Sequence, residues 1–393
     1  MQKTFLLILT LITGNVASAQ QFRNASSEAL PPIALKPSNS MDVVSGDIDG
    51  DGDLDIVIAV EFVKNIILIN DGSGKFSDGS DRLPDLNADI DPKPYPYYPY
   101  HDSEDIALAD FDNDGDLDIM FVSEDDQVNE LYFNNGSGVF EDRSHLIPVK
   151  GISNAVEAGD FDQDGHIDII IGNKGQNYYL KNTGGKFVDQ TSTRLPAYND
   201  ITQDLEAGDI DGDGDLDLIV GNELNNYILI NDGSGQFSDQ TDQYLKPEHQ
   251  QSGETRDVAI VDINTDGLPD VYFANVNMFQ QMQPVQRMLI NTGDIFNDET
   301  SARLGFTSEH SCVDANFTDL DNDGDADLIL VTYTGPRMYR NSGKGNYEDI
   351  TDQLLERTPS MGVDIEVADF NNDGKPDIYF GNFRGADQIF YQQ

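Results

Sequence analysis

The sequence predicts an all-β fold: a seven-bladed β-propeller of four-stranded blades, closed by a strand from its own N-terminus. Three observations predict it. An acidic motif, first met as "DIDGDGDLD" from Asp47, returns from Asp110, Asp160, Asp209, Asp262, Asp319 and Asp369, giving seven copies that start 49 to 63 residues apart. Every copy sits in the same plan of short apolar runs. The two ends of the chain each hold part of one repeat, and the parts are complementary.

The plan of a repeat supplies the four strands. A short apolar stretch such as "DIALA" or "DVAIV" precedes the motif, and a β-branched or aromatic run such as "DIVIAV", "DIMFVS" or "DVYFAN" follows it. A second apolar run ("NIILIN", "NYILIN", "RMLIN") leads to a glycine turn and a last segment beginning "FSD" or "FVD". One Asp-Gly motif alone would read as a hairpin turn; seven in register define a repeat. Apolar periodicity at 3.6 residues is absent, so helices of ordinary length are not expected.

Closure follows from the aromatic after each glycine turn. It is Phe76, Phe140, Phe187, Phe237, Phe296 and Tyr347, which makes six for seven repeats, and the chain stops at "QIFYQQ" where the last turn should begin. "QFRNASSEALP" matches "GKFVDQTSTRLP", with Phe22 in the aromatic slot. The N-terminus is therefore expected to supply the outer strand of the final blade and remove a free sheet edge.

Composition sets the surroundings. Among 393 residues, 72 are acidic and 23 basic, a formal charge of -49. Nucleic acid and anionic membrane surfaces are excluded as partners by that charge. A hydrophobic content of 38% excludes disorder. Lys3, the apolar run Phe5 to Ile12 and Ala17-Ser18-Ala19 read as a signal peptide over 1–19, leaving 20–393 as one propeller domain. No later segment is apolar enough for a membrane span, so a secreted, periplasmic or cell-surface protein is expected. Cys312 is the only cysteine, which rules out an internal disulfide and marks a small buried residue.

So many carboxylates in one loop repel one another unless a cation lies between them. Positions 1, 3, 5 and 9 of the motif offer side-chain oxygens, and position 7 a backbone carbonyl. In the first four copies these are Asp47, Asp49, Asp51, Asp53 and Asp55; Asp110, Asp112, Asp114, Asp116 and Asp118; Asp160, Asp162, Asp164, His166 and Asp168; and Asp209, Asp211, Asp213, Asp215 and Asp217. In the last three they are Asp262, Asn264, Asp266, Leu268 and Asp270; Asp319, Asp321, Asp323, Asp325 and Asp327; and Asp369, Asn371, Asp373, Lys375 and Asp377. The free variation at position 7 fits a carbonyl ligand, so His166 is expected as a loop side chain and not a ligand through its ring.

Oxygen-only ligation points to Ca2+ at about seven structural sites. Asn264 and Asn371 keep an oxygen but lose a charge, which predicts weaker binding. A calcium-binding helix-loop-helix hand would need a glutamate at position 12 and flanking helices; here the ninth residue is the acid and strands flank it. Position 2 is always apolar, as in Ile48, Phe111 and Phe370, and is expected to point into the blade.

The motif D-x-D-x-D-G-x-x-D followed by strands like "LDIVIA" resembles the FG-GAP or VCBS repeats of the integrin α-subunit propeller and its bacterial relatives, over nearly all of 20–393. That resemblance implies a calcium-stapled propeller, in a family that includes adhesion modules, lectins and some polysaccharide lyases.

A ligand is expected on the face away from the acidic loops. Two insertions fall there: Phe76 to Asp110 and Asp262 to Phe296 each span 34 positions. The first carries Tyr95, Tyr97, Tyr98, Tyr100 and His101, the second Met278, Phe279 and Met282. Rigid aromatics interleaved with proline favour Tyr95, Tyr97, Tyr98, Tyr100 and Phe279 as ligand contacts. Five residues before the motif, Asp42, Asp105, Asp204, Asp257, Asp314 and Asp364 should ring the innermost strands and bond nearby backbone N–H groups.

Two principal function classes compete. One is a binding or adhesion module for an extracellular protein or glycan. The other is a polysaccharide-acting, lyase-like enzyme on the same scaffold; a structural subunit of a surface assembly is a third option. The five histidines form no paired motif, no nucleophilic triad is visible and no catalytic residue is assigned, which favours binding. The sequence leaves the oligomeric state open.

Overall fold

Runs of strand length that follow each acidic loop are buried on both faces, as in Asp55–Val60 and Asp118–Ser123. That is why they read as continuous apolar segments without alternation. The computed structural model describes residues 22–84, 101–124, 127–250, 253–277, 285–305, 311–351 and 362–393. In the first blade Ser38–Gly46, Asp55–Val60, Ile66–Asn70 and Phe76–Asp78 pair antiparallel in that order, from the centre outwards. The order repeats in blades 2 to 7, whose innermost strands are Ser103–Ala109, Ser153–Gly159, Asp200–Gly208, Glu254–Val261, Cys312–Thr318 and Gly362–Ala368. Each innermost strand touches the next, and that of blade 7 touches that of blade 1, which closes the ring.

Packing follows from this ring. The apolar core is divided into seven layers, one at each joint between blades. At the first joint Val57, Ala59 and Ile67 of blade 1 meet Ile119, Phe121 and Tyr132 of blade 2. Position 2 of every loop feeds such a layer: Ile48, Phe111, Phe161, Ile210, Ile263, Leu320 and Phe370 are all buried. Cys312 is buried as expected. Two joints carry a backbone weld of two residue pairs, and the joint between blades 1 and 2 a single bridge of Glu61 with Asp102. Gly175 pairs with Asp200 between blades 3 and 4, and Ser38 with Gly385 between blades 1 and 7.

The N-terminus closes the last blade. Phe22–Asn24 pairs with Gln388–Gln392, Phe22 opposite Gln392 and Asn24 opposite Phe390. A local signature repeated at every outer strand confirms the register. In six blades an aspartate accepts the N–H of a Ser or Thr two residues on, at Asp78–Ser80, Asp142–Ser144, Asp189–Thr191, Asp239–Thr241, Asp298–Thr300 and Asp349–Thr351. The hydroxyl then accepts an N–H from the third strand, as Thr241 Oγ1 does from Ile228 at 3.0 Å. In blade 7 Asn24 and Ser26 perform both tasks from the N-terminus.

This cap winds one helical turn that periodicity alone did not announce. Examples are Ser26–Ala29, Thr191–Arg194, Thr241–Tyr244 and Thr300–Leu304. Four or five residues are too short to show an apolar period, and the hydroxyl-capped turn is local chemistry. No helix among the described residues is long and apolar enough to cross a membrane. The segment 1–19, the tyrosines 95, 97, 98 and 100, and Phe279 lie outside the described residues.

Candidate metal loops and channel mouth

The acidic loops owe their shape to two left-handed residues. Position 4 has positive φ in all seven, from Gln163 at 55° to Gly212 at 81°, and glycine at position 6 has φ between 83° and 98°. Glycine and asparagine tolerate that conformation, and they fill most of these places. The position-1 carboxylate then gathers backbone donors: Asp110 accepts the N–H groups of Asp114 and Gly115, both at 3.0 Å. Position 5 accepts the N–H of position 7 in every loop, from Asp51 to Asp53 through Asp373 to Lys375.

Position 9 is the buried wall of the loop. Asp118 is fully buried and accepts Phe111 N–H at 2.9 Å and Asn134 N–H at 2.8 Å. Burial pushes Asp55, Asp118, Asp217, Asp327 and Asp377 up to about 7, and Asp168 and Asp270 up to about 6. Positions 1, 3 and 9 come together, with carboxylate oxygens within 4.8 Å, in Asp47–Asp49–Asp55, Asp110–Asp112–Asp118 and Asp209–Asp211–Asp217. At such separations each like-charge pair costs roughly 3 kcal/mol at an effective dielectric of 20.

A cation fits these loops on a further observation. One oxygen of position 3 (Oδ1 of Asp49, Asp112 and Asp321) is buried with no hydrogen-bond partner. An oxygen without a donor in a ring of carboxylates is what a metal ligand looks like before the ion is counted. Position 7 side chains do other work: Asp53 accepts Asn372 Nδ2 at 2.8 Å, and the His166 ring bonds Asn113 of the neighbouring loop. In blade 7 Asn371 Nδ2 donates to Asp377 Oδ2 at 2.9 Å, so position 3 here satisfies the position-9 carboxylate where the loops with aspartate at position 3 oppose it with a second carboxylate.

An asparagine that sequence reasoning passed over ties the loops together. At the end of the third strand stands Asn70, Asn134, Asn182, Asn291, Asn341 or, in blade 7, Gln392, and in blade 4 Asn231 follows the strand's last residue, Ile230. Its backbone N–H donates to position 9 of its own loop. Its side-chain amide donates to the position-2 carbonyl of the preceding blade, as Asn231 Nδ2 does to Phe161 O at 2.8 Å. The recurring "N" before each glycine turn was the available signal.

Asn231→Leu strands the Phe161 and Leu216 carbonyls and the Gly235 N–H. With unmade buried bonds at about 1–3 kcal/mol each, we expect a loss of about 3 kcal/mol or more in urea unfolding. A loss under about 1 kcal/mol would show the latch to be dispensable.

The opposite face opens into the central channel, a cavity of 390 Å3. The predicted aspartate ring lies here, and it too joins blades. Asp364 accepts Val43 N–H at 2.8 Å, Asp105 Val156 N–H at 2.6 Å, Asp204 Val258 N–H at 2.7 Å and Asp257 Ala315 N–H at 3.1 Å, each across a joint. Blade 3 lacks the aspartate and has Ala155. Burial and then mutual repulsion hold Asp42, Asp257, Asp314 and Asp364 well above the usual carboxylate range. The Oδ2 atoms of Asp42 and Asp314 are buried without a partner. Outside the ring, Glu61, Glu104, Glu124 and Glu223 line the mouth together with one cation, Arg256, whose Nε is 2.6 Å from Glu254.

A ring of four-stranded blades stapled by seven acidic loops defines a repeat-built β-propeller of the kind used as a generic binding module. The chain belongs to the FG-GAP-like repeat family, whose model matches residues 47–121, 110–171, 160–220, 209–273 and 319–380. It is 33% identical over 73 residues to cartilage acidic protein 1 of Xenopus tropicalis, covering 18% of this chain and 11% of that protein. To the Mus musculus protein of the same name it is 25% identical over 146 residues, covering 35% and 22%. The matches thus span about a fifth or less of those relatives. Among solved structures, an Agrocybe aegerita lectin described by its recognition of non-reducing terminal N-acetylglucosamine matches with TM-score 0.53 and 19% identity, over 89% of this chain and 87% of that one. BBS1N in complex with ARL6DN matches with TM-score 0.55 and 13% identity, over 95% and 97%. Both likenesses concern the fold.

Proposed function

We propose that this chain is an exported, calcium-stabilised propeller that acts as a binding module for an extracellular protein or glycan, docked over the channel mouth. The observation that carries the proposal is the division of labour between the two faces. The acidic loops form short, repetitive turns whose oxygens point inwards, which suits Ca2+ as a staple. The other face opens a walled cavity rimmed by four glutamates and a single arginine. Export is supported by the composition of residues 1–19, and the tyrosine-rich insertion leads directly into His101 and Asp102 at this mouth. A ligand bearing cationic or multiple hydroxyl groups suits such a rim. No nucleophile, base and orienting group converge in the described residues, so binding is preferred to lyase chemistry.

The test is a screen of glycans and basic peptides against the calcium-loaded protein. Hits are then measured on Glu104→Lys/Glu223→Lys and on the four tyrosines changed to serine. Binding is expected to fall at least tenfold in the charge-reversed variant with the melting temperature kept. Undiminished binding in both variants places the site elsewhere.

A further inference from the structure

We infer that the third acidic loop, intact as a motif, holds no metal because the chain's own lysine, Lys181, takes the ion's place. This rests on the calcium reading of the other loops. Lys181 lies in the third strand of blade 3, Tyr178–Asn182, one residue before the latch asparagine. Its Nζ is 2.5 Å from Asp162 Oδ2 and 2.6 Å from Asp164 Oδ2, which are positions 3 and 5 of the loop. Arg194 adds a contact of 3.3 Å to the same Asp162 oxygen. The lysine side chain is 12% exposed, so the pair is largely withdrawn from water.

Two independent differences set this loop apart. In the place of Lys181 the other blades carry Ile69, Phe133, Ile230, Ile290, Arg340 and Tyr391. Arg340 is the one other cation, and its guanidinium turns to Glu348 at 2.9 Å. The second difference is at position 9. Asp118, Asp217, Asp270 and Asp327 each use Oδ2 to accept the N–H of position 2. Asp168 instead accepts the Tyr179 hydroxyl with that oxygen. Blades with Ile67, Leu131, Ile228, Met288, Met338 or Ile389 at that place have no hydroxyl to offer.

The carboxylates that converge in blade 3 are accordingly Asp160, Asp162 and Asp164, without the position-9 wall. Both oxygens of Asp162 have the ammonium as partner, whereas Asp49, Asp112 and Asp321 each keep a buried oxygen without one. An ammonium brings three donors and a single charge, enough to satisfy this reduced set. A divalent ion entering beside it would meet a fixed positive charge at close range. In blade 1 Arg82 meets only the Oδ2 oxygen of Asp49, at 3.1 Å, and leaves Oδ1 without a partner. The blade 3 loop, where the ammonium spans positions 3 and 5, should keep its shape at any calcium concentration.

Native mass spectrometry of the full chain counts bound calcium and decides the matter. Lys181→Ile, which copies blades 1, 4 and 5, is expected to bind one ion more than the unaltered protein. A second comparison does not depend on that variant folding. Asp110→Asn in blade 2 should lower the count by one, while Asp160→Asn leaves it unchanged. Equal counts for Lys181→Ile and the unaltered chain, or loss of one ion in Asp160→Asn, overturn the inference. Absence of calcium from the unaltered protein defeats the calcium reading itself, and this inference with it.

Discussion

Excess chelator at neutral pH is expected to lower the melting temperature by tens of degrees and to leave much of the chain unfolded at 37 °C. At a calcium concentration ten times Kd, each site stabilises the folded state by about 1.4 kcal/mol, or about 8 kcal/mol over six sites. That rivals the whole stability of a typical domain, about 5–15 kcal/mol. Calorimetry with millimolar calcium and with excess chelator checks it, and equal melting temperatures would remove calcium from its structural role.

The same experiment has a pH signature. The position-9 aspartates have folded values raised to about 6 to 7 by burial, above the unfolded value of about 3.9. The chelated protein therefore binds more protons folded than unfolded between those values. Its stability is present at low pH and is lost as pH rises through about 7. Calcium inverts the trend, because acid protonates its ligands and releases it. The channel acids contribute alike with and without calcium and cancel in the difference. The calcium-induced gain in melting temperature should shrink steadily from pH 8 to pH 5; a gain that stays constant would contradict this.

Deleting residues 20–30 is the second large effect. The segment buries Phe22, Ala25, Ala29 and Leu30, and supplies the Asn24–Ser26 cap of the last blade. Losing Phe22 and Leu30 alone costs about 3–6 kcal/mol at 1.5–3 kcal/mol per side chain. The exposed edge of Gln388–Gln392 would then be open to pairing with another chain. The truncated protein is expected to melt early and to aggregate with calcium present. A monomer of unaltered melting temperature would show that the ring closes without the N-terminal strand.

The ring was legible in the sequence wherever a feature repeated in register. The seven loops, the order of the strands and the closing role of Phe22 all follow from comparing one repeat with the next. The buried position 2 follows from the same comparison, since it is apolar in every copy, whereas the burial of position 9 shows only in the fold. What escaped notice was chemistry between elements. The asparagine latch reads as an ordinary strand end until Asn231 is seen to reach Phe161 in the preceding blade. Lys181 reads as an exposed strand residue, because only the twist of the blade brings its ammonium onto a loop 17 to 19 residues earlier. Tyr179 is a buried core residue whose hydroxyl also occupies one oxygen of Asp168.

The two backbone welds have a mechanical consequence. Where Gly175 pairs with Asp200 and Ser38 with Gly385, neighbouring blades share a continuous sheet and can turn past each other only by breaking main-chain hydrogen bonds. Blades 1 and 2 are tied more lightly, by the single bridge of Glu61 with Asp102 and the bond from Phe62 N–H to His101 O at 3.0 Å, and the apolar layers between blades can yield by changing rotamer. The ring therefore behaves as two stiff sectors, blades 7 and 1 and blades 3 and 4, set in a more compliant frame. One stiff sector contains blade 7, within which the N-terminal strand pairs with the last strand. A pull on the N-terminus falls first on the outer strand Phe22–Asn24 and its pairing with Gln388–Gln392, while the weld behind it keeps blades 7 and 1 together.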